Sequence, residues 1–183
     1  VEYEFPFGFK ELEGIAHRGT FDLTQHSKHS GKDQSVFDQE TATSEMPTVV
    51  ETSVGVERLF LTVLFDAYHE DIMDGETRIV LKLHPSIAPI KACVLPLVKK
   101  LNEPAEKLFK DLKKQFINVE FDESGSIGKR YRRNEEISTT ICFTVDFQTL
   151  EYQTITARHR DTGMQERIKI DQACKYLENI LLV

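Results

Sequence analysis

The chain has 183 residues, enough for one domain of ordinary size or one and a half small ones. Its formal net charge of −7 argues against indiscriminate binding to nucleic acid or membranes, so any RNA contact must use local basic patches. No apolar run approaches the length of a transmembrane helix. The three cysteines are far apart and lie in apolar runs, which indicates reduced, packed thiols in a cytosolic protein and no zinc site.

The first thirty residues predict extended structure followed by a helix. Aromatic side chains occupy alternate positions over residues 1–9, from Tyr3 to Phe9, and a period of two is typical of a strand. Residues 10–18 continue the extended pattern, and residues 22–30 predict a polar helix. The polar stretch 31–48 predicts a loop.

Residues 49–67, VVETSVGVERLFLTVLFDA, predict a strand that ends in a polar turn and leads into a buried helix. Glu51 and Ser53 alternate along the strand and therefore share one face. Gly55 would let the backbone approach a ligand closely. Arg58, in the first helical turn, could present its planar guanidinium to a phosphate group, where free N–H groups and the helix dipole also favour an anion.

The rest of the chain predicts a second domain after a connection. The acidic stretch 69–77 predicts an exposed connection, and prolines punctuate residues 84–89. Asn102 is predicted to cap the helix that follows the first strand. The complete predicted order is strand 90–97, a helix with Pro104 in its first turn and an apolar face from Ala105 to Phe116, strand 118–122, basic helix 129–137, strand 140–147, a hairpin of 154–160 with 165–170, and a final amphipathic helix. With the hairpin counted as one β unit, this βαβαββα order indicates an α/β sandwich.

Four segments resemble one family of enzymes. VVETSVGVER resembles motif 3 of class II aminoacyl-tRNA synthetases, and KELEGIAHRGTFDLTQHSKHS and LHPSIAPIKACVLPLVKK resemble the glycyl-tRNA synthetase family in particular. FDESGSIGKRYRRNEEISTTICFTVDF is similar to that family's anticodon-binding domain. The resemblance implies a chain of the fold class α+β or α/β, made of two parts. Residues 1–83 would be the last part of the antiparallel catalytic sheet, and residues 84–183 an anticodon-binding domain with a mixed sheet.

The resemblance also implies roles for individual residues. Arg58 and Glu11 would be the catalytic residues, and Glu11 would help to hold the magnesium of Mg-ATP. The ATP-binding residues would be Glu11, Leu12, Gly55, Val56, Glu57 and Arg58. The glycine-binding residues would be Glu51, Thr52, Ser53, Val54 and Gly55, with Thr52 standing where the family usually has proline.

The implied activity is ATP- and Mg²⁺-dependent charging of tRNA(Gly) with glycine through glycyl-adenylate. The implied enzyme is a cytoplasmic homodimer without a membrane segment. Motifs 1 and 2 of class II synthetases are not found here, and the first residue is Val1 rather than Met. We therefore expect a C-terminal fragment of a longer enzyme, inactive alone.

The basic run of residues 129–133 allows two interpretations. Its cations could meet tRNA phosphates, with Tyr131 available to stack on a base. Alternatively, they could face water and pair with Glu135 and Glu136 along the helix. The tRNA-binding candidates are Lys129, Arg130, Arg132, Arg133, Arg158 and Arg160, the last two on one face of a predicted strand.

Two other functions remain open at this point. One is a non-catalytic tRNA-binding or accessory protein built from an anticodon-binding domain. The other is a structural interaction protein that uses its sheet face and acidic surface. The presence of Glu11, Glu51, Ser53 and Arg58 argues against the first, because a non-catalytic relative has no need to bind ATP.

Overall fold

The computed structural model describes residues 1–73 and 75–182 and divides the chain into two compact units, Val1–Phe65 and Asp66–Val183. This division does not coincide with the predicted domain boundary between residues 83 and 84. Residues 66–83 pack with the second unit, because Arg78 is buried there. Its guanidinium donates to the carbonyl oxygens of Arg160 at 3.0 Å and Asp161 at 3.2 Å.

The first unit consists of two-stranded antiparallel pairs and helices. In the described chain β1 pairs with β2, β3 with β6, and β4 with β5. The second helix of this unit ends at Ala67, two residues after Phe65, the last residue of the unit. The elements are β1 (Glu2–Phe5), β2 (Gly8–Glu11), β3 (Glu13–Gly19), α1 (Phe21–Ser30), β4 (Val36–Asp38), β5 (Thr43–Glu45), β6 (Val49–Val54) and α2 (Val56–Ala67).

The predicted single strand over residues 1–9 is wrong, because this segment is the hairpin β1–β2. Pro6 supplies a fixed φ for a turn, and Gly8 has a φ of +96°, which favours glycine. Phe5 is buried, whereas Phe7 and Phe9 are exposed. The predicted loop over residues 31–48 likewise contains a short hairpin, β4–β5.

Helix α2 forms where the sequence predicts it, but its burial was predicted wrongly. Ala67 is the one buried residue of α2 in the described structure, and Phe60 is 64% exposed. A helix is buried when a wide sheet or another helix covers its apolar side chains. The first unit offers only two-stranded pairs, so α2 keeps an exposed apolar surface.

The second unit contains a five-stranded mixed sheet with helices on both faces, which confirms the predicted mixed α/β architecture. Its strand order is β10-β9-β11-β12-β13, with parallel pairing among the first three strands and antiparallel pairing among the last three. The elements are β7 (Tyr68–Met73), β8 (Glu76–Leu81), β9 (Ala92–Pro96), α3 (Asn102–Lys113), β10 (Val119–Phe121), α4 (Ile127–Glu136), β11 (Ile141–Val145), α5 (Phe147–Tyr152), β12 (Thr154–His159), β13 (Gln165–Lys169) and α6 (Ala173–Leu181).

Three details differ from the predicted order. Residues 69–77 were predicted as a connection but mostly belong to the antiparallel hairpin β7–β8, and Asp74 lies outside the described residues. Helix α5 was not predicted, although Asp146 and Thr149 form a capping box at its start. Asn102 is the first residue of α3 rather than its cap, and its amide group donates to Glu123.

The sheet of the second unit is packed on both faces. On one face Val94, Phe143 and Ile155 belong to a core that includes side chains of α3 and α6. On the other face Cys93 and Cys142 pack with residues of α4. The three cysteines are free thiols. Cys93 and Cys142 are buried, as predicted, whereas Cys174 is only partly buried, and burial raises the pKa of Cys93 to about 12.

Candidate functional sites

The first candidate site lies in the first unit, where β2 and β6 end and α2 begins. It is a cavity of about 500 Å³, called here the Arg58 cavity. The structure thus brings together residues from two segments that are distant in sequence, as the resemblance to synthetases implies. The lining residues are Glu11, Leu12, Ser53, Gly55, Glu57, Arg58 and Leu61.

Arg58 connects the two segments directly. Its guanidinium donates to the backbone carbonyl oxygen of Glu11, which places the two predicted catalytic residues at the same point. Glu11 and Glu57 bring two carboxylates to the cavity, and carboxylate oxygens are the ligands that Mg²⁺ prefers. The donor set therefore fits the magnesium of Mg-ATP.

The predicted glycine-binding residues are divided by the structure. Ser53 and Gly55 line the Arg58 cavity, whereas Glu51, Thr52 and Val54 do not, and neither does Val56 of the predicted ATP contacts. A Cβ added to Gly55 would lie 3.7 Å from Cβ of Arg58, an ordinary contact, and the φ of Gly55 is not positive. The protein's own backbone therefore does not require glycine at this position.

Glu51 has a partner that the sequence analysis missed. The Nε atom of Arg18 lies 3.6 Å from a carboxylate oxygen of Glu51 and donates to Asp22 at 2.8 Å. The hydrogen bond from Arg18 lowers the pKa of Asp22. The spacing of four between Arg18 and Asp22 was visible in the sequence, but the contact with Glu51 depends on the pairing of β3 with β6.

The second candidate site is a cavity of about 710 Å³ in the second unit, called here the α4 groove. It lies along α4 and also includes residues of the β7–β8 hairpin and of strands β12 and β13. Four of its side chains are cationic and two are carboxylates. The lining residues are Met73, Glu76, Ile127, Gly128, Lys129, Tyr131, Arg132, Arg133, Glu136, Arg158 and Gln165.

Two of the six predicted tRNA-binding residues are buried, so their prediction as surface contacts is wrong. Arg130 is 3% exposed, and its guanidinium donates to the carbonyl oxygens of Pro96 and Asp122. Arg160 is 4% exposed and donates to Ser138 and to the carbonyl oxygen of Leu83. Both guanidinium groups are buried and donate to backbone carbonyl oxygens, so neither arginine presents its charge at the surface.

Arg158 is almost as thoroughly engaged. Its guanidinium lies 4.6 Å from the centroid of the Tyr131 ring and donates to Glu135 at 3.0 Å. The hydroxyl of Tyr131 lies 2.6 Å from that of Thr144, and burial raises the pKa of Tyr131. Tyr131 therefore does not offer this ring face to a base.

The remaining cations are available to different degrees. Lys129 is exposed. Arg133 is 46% exposed but donates to the carboxylate of Asp122 at 3.0 Å. Arg132 is 30% exposed and lies 3.6 Å from a carboxylate oxygen of Glu76. Glu135 contacts arginines outside its own helix, which differs from the predicted pairing along α4.

Within residues 1–73 and 75–182, no three or more His, Cys, Asp or Glu side chains are grouped so as to hold a metal ion by themselves. None of the helices in the described part of the chain is long and apolar enough to span a membrane.

A family model and a solved structure indicate the class of domain that the second half of the chain resembles. Residues 91–180 match the family model described as "Anticodon binding domain". The solved RNA-binding domain of threonyl-tRNA synthetase from Cryptosporidium parvum Iowa II has a TM-score of 0.61 and 20% identity, covering 80% of this chain and 34% of that one. At that identity the likeness shows the fold alone.

The particular resemblance is to glycine–tRNA ligases, and it covers the whole chain. The chain is 53% identical to the glycine–tRNA ligase of Chlorobaculum tepidum over 100% of its own length and 39% of that protein. It is 55% identical to that of Caldanaerobacter subterraneus subsp. tengcongensis over 99% of its length, again 39% of the relative. The predicted resemblance to this family of aminoacyl-tRNA synthetases is confirmed, and the chain spans about two fifths of these relatives' length.

Proposed function

We propose that this chain belongs to a glycine–tRNA ligase, which charges tRNA(Gly) with glycine through glycyl-adenylate and uses ATP and Mg²⁺. The observation that carries the proposal is the Arg58 cavity. Glu11 and Leu12 from one segment meet Ser53, Gly55, Glu57 and Arg58 from another. The cavity thus contains five of the six residues to which the resemblance assigns ATP and two of the five to which it assigns glycine.

The side chains of the cavity suit this reaction. Arg58 would bind the triphosphate of ATP, with Glu11 and Glu57 close to the magnesium ion that neutralises its charge. Glu51, which lies on β6 outside the cavity lining, would attract the ammonium group of glycine, and Ser53 in the cavity would contribute a hydroxyl. Attack of the glycine carboxylate on the α-phosphate then needs positioning and charge neutralisation rather than a nucleophilic side chain.

Two variants of the full-length enzyme test this division of roles. Arg58→Ala should cost ~2–4 kcal/mol of transition-state stabilisation in glycine-dependent pyrophosphate exchange, because a contact to phosphate is lost. Glu51→Ala should raise the KM for glycine far more than the KM for ATP. Equal effects of Glu51→Ala on both substrates would contradict the proposed roles.

We propose that the second unit binds tRNA(Gly), since residues 91–180 match the anticodon-binding family and the α4 groove carries exposed cations. Binding should weaken as the salt concentration rises, because phosphate contacts dominate such complexes. We propose that the full-length enzyme is a cytoplasmic homodimer. Analytical ultracentrifugation would test its oligomeric state. If the full-length protein binds tRNA but shows no glycine-dependent pyrophosphate exchange, it is a tRNA-binding accessory protein instead.

A further inference from the structure

The hairpin β7–β8 meets helix α4 through two ion pairs of opposite sense. Glu76 and Arg78 alternate on β8 and therefore share a face of the strand. Arg132 and Glu135 are three residues apart on α4 and share a side of the helix. Arg132 lies 3.6 Å from Glu76, and Arg78 lies 3.4 Å from Glu135, so the order of the charges on the strand is the reverse of that on the helix.

The inner pair fixes the strand against the helix. Arg78 is 1% exposed and the side chain of Glu135 is 3% exposed. Arg78 also donates to Asp71 on the neighbouring strand at 2.7 Å. Glu135 also accepts hydrogen bonds from Arg158, the shorter at 3.0 Å. A shift of β8 along α4 would separate buried charges, so the inner pair determines where Glu76 lies.

The outer pair is exposed and lies in the α4 groove. The side chain of Glu76 is 81% exposed and that of Arg132 is 30% exposed. The Nη1 atom of Arg132 is shielded from solvent and has no acceptor among the described residues. Because Nη1 is buried, Nη2, which lies 3.6 Å from Glu76, is the donor that Arg132 can offer to a ligand in the groove, and Lys129 lines the same groove. Glu76 places a carboxylate where a phosphate group would otherwise be the natural partner of Arg132.

We propose that Glu76 is a selectivity-determining residue of the tRNA-binding surface, and this inference rests on the proposed function. Glu76 occupies Arg132, so a phosphate must displace a carboxylate to reach this guanidinium. An exposed pair at 3.6 Å is weak enough to be displaced. Other contacts can position a tRNA so that one of its phosphate groups replaces the Glu76 carboxylate at Arg132. An RNA that is bound only through its charge lacks these contacts and gains less binding free energy from the replacement.

The experiment uses the whole 183-residue chain and the variant Glu76→Gln. Its affinity is measured by fluorescence anisotropy for a tRNA(Gly) transcript and for an unstructured oligouridylate. Glu76→Gln should raise the affinity for oligouridylate about 2–5-fold and that for tRNA(Gly) less, because it frees one surface cation. The slope of log K against log salt for oligouridylate should steepen by about 0.7, the value for one more phosphate contact on a single strand.

Two further variants separate this role from a general change in charge. Glu103→Gln removes the same charge from an exposed position in the first turn of α3, outside the groove, and should leave the ratio of the two affinities unchanged. Arg132→Gln added to Glu76→Gln should abolish the gain for oligouridylate. Melting temperatures should match the wild type for Glu76→Gln, because this side chain is exposed.

The outcomes distinguish the two proposals. If the wild-type chain binds tRNA(Gly) no better than oligouridylate, the proposed tRNA binding fails and the selectivity role fails with it. If tRNA(Gly) is preferred but Glu76→Gln changes the ratio no more than Glu103→Gln, only the role of Glu76 is overturned. A gain that persists without Arg132 would also overturn it.

Discussion

The two units of the chain are stabilised in different ways. In the first unit Phe5 is the one buried apolar side chain among described residues 1–65, and Phe7, Phe9 and Phe60 are exposed. In the second unit a five-stranded sheet is covered on both faces, and Phe143 is fully buried. The first unit is therefore held mainly by the pairing of two strands at a time, whereas the second has a hydrophobic core of its own.

This difference bears on the two candidate sites. The Arg58 cavity is built on strand pairs and on a helix with an exposed apolar surface, so its geometry depends on elements with little packing behind them. The α4 groove lies on a helix packed against a complete sheet. The second unit should therefore keep its site in the isolated chain, and the first should gain order when its apolar surface is covered.

The largest expected contrast is in hydrogen exchange of the whole chain. Amides of β11 should be protected about a thousandfold more than those of β3, because opening β11 requires unfolding the core. The two-stranded pair β3–β6 can open locally. Mass spectrometry of peptides covering both strands measures this. Equal protection in a monomeric chain would mean that the first unit is as stable as the second.

A pair of phenylalanine substitutions tests the same contrast through side chains. Phe143→Ala should destabilise the second unit by about 3–5 kcal/mol, because it leaves a cavity in the core. Phe60→Ala removes an exposed ring and should change the free energy of unfolding by less than about 0.5 kcal/mol. Urea unfolding followed by tyrosine fluorescence suits this chain, which has five tyrosines and no tryptophan. A large effect of Phe60→Ala would show that α2 is packed in solution.

The buried ion pairs should contribute less than the apolar core. Glu135→Gln keeps the shape of the side chain but leaves Arg78 and Arg158 without their shared carboxylate, and should cost about 2–3 kcal/mol. The exposed Glu136→Gln on the same helix is the matched control and should be nearly neutral. If the two variants unfold at the same urea concentration, the hairpin β7–β8 is not held by this network.

The sequence predicted the second unit best where burial leaves a repeating pattern. Strands β9 and β11 are apolar runs because both of their faces are covered, and α3 shows one apolar side because one side faces the sheet. The basic run on α4 misled the prediction, because charge alone suggests exposure. Ile127, Arg130 and Asn134 recur at helical spacing on the packed side, and that spacing was the available signal.

The first unit was harder to predict because its partners are not in its local pattern. The all-round apolar sequence of α2 predicts burial, which requires a covering surface that residues 1–65 do not supply. The hairpin β7–β8 was missed for the opposite reason. Strand β7 is mostly exposed and polar. The hairpin is held in place by Arg78 of β8, which contacts residues far along the chain, and no local spacing in the sequence reveals these contacts.

The smallest expected effect is a dependence of the second unit's stability on pH through Asp71. A hydrogen bond from Arg78 lowers the pKa of Asp71 below its ordinary value of 3.8. A carboxylate with a lowered pKa in the folded state contributes stability above its unfolded pKa and loses it as the pH falls through the folded value. The contribution is therefore complete at neutral pH, declines below about pH 4 and disappears at lower pH.

Asp71→Asn should be less stable than the wild type at pH 7, and the difference should shrink as the pH falls below 4. Urea unfolding at several pH values between 7 and 2.5 measures this difference. Since Asp71 is partly exposed, the effect should be well below that of Glu135→Gln, and a difference that stays constant down to the lowest pH would show that Asp71 acts through its shape rather than its charge.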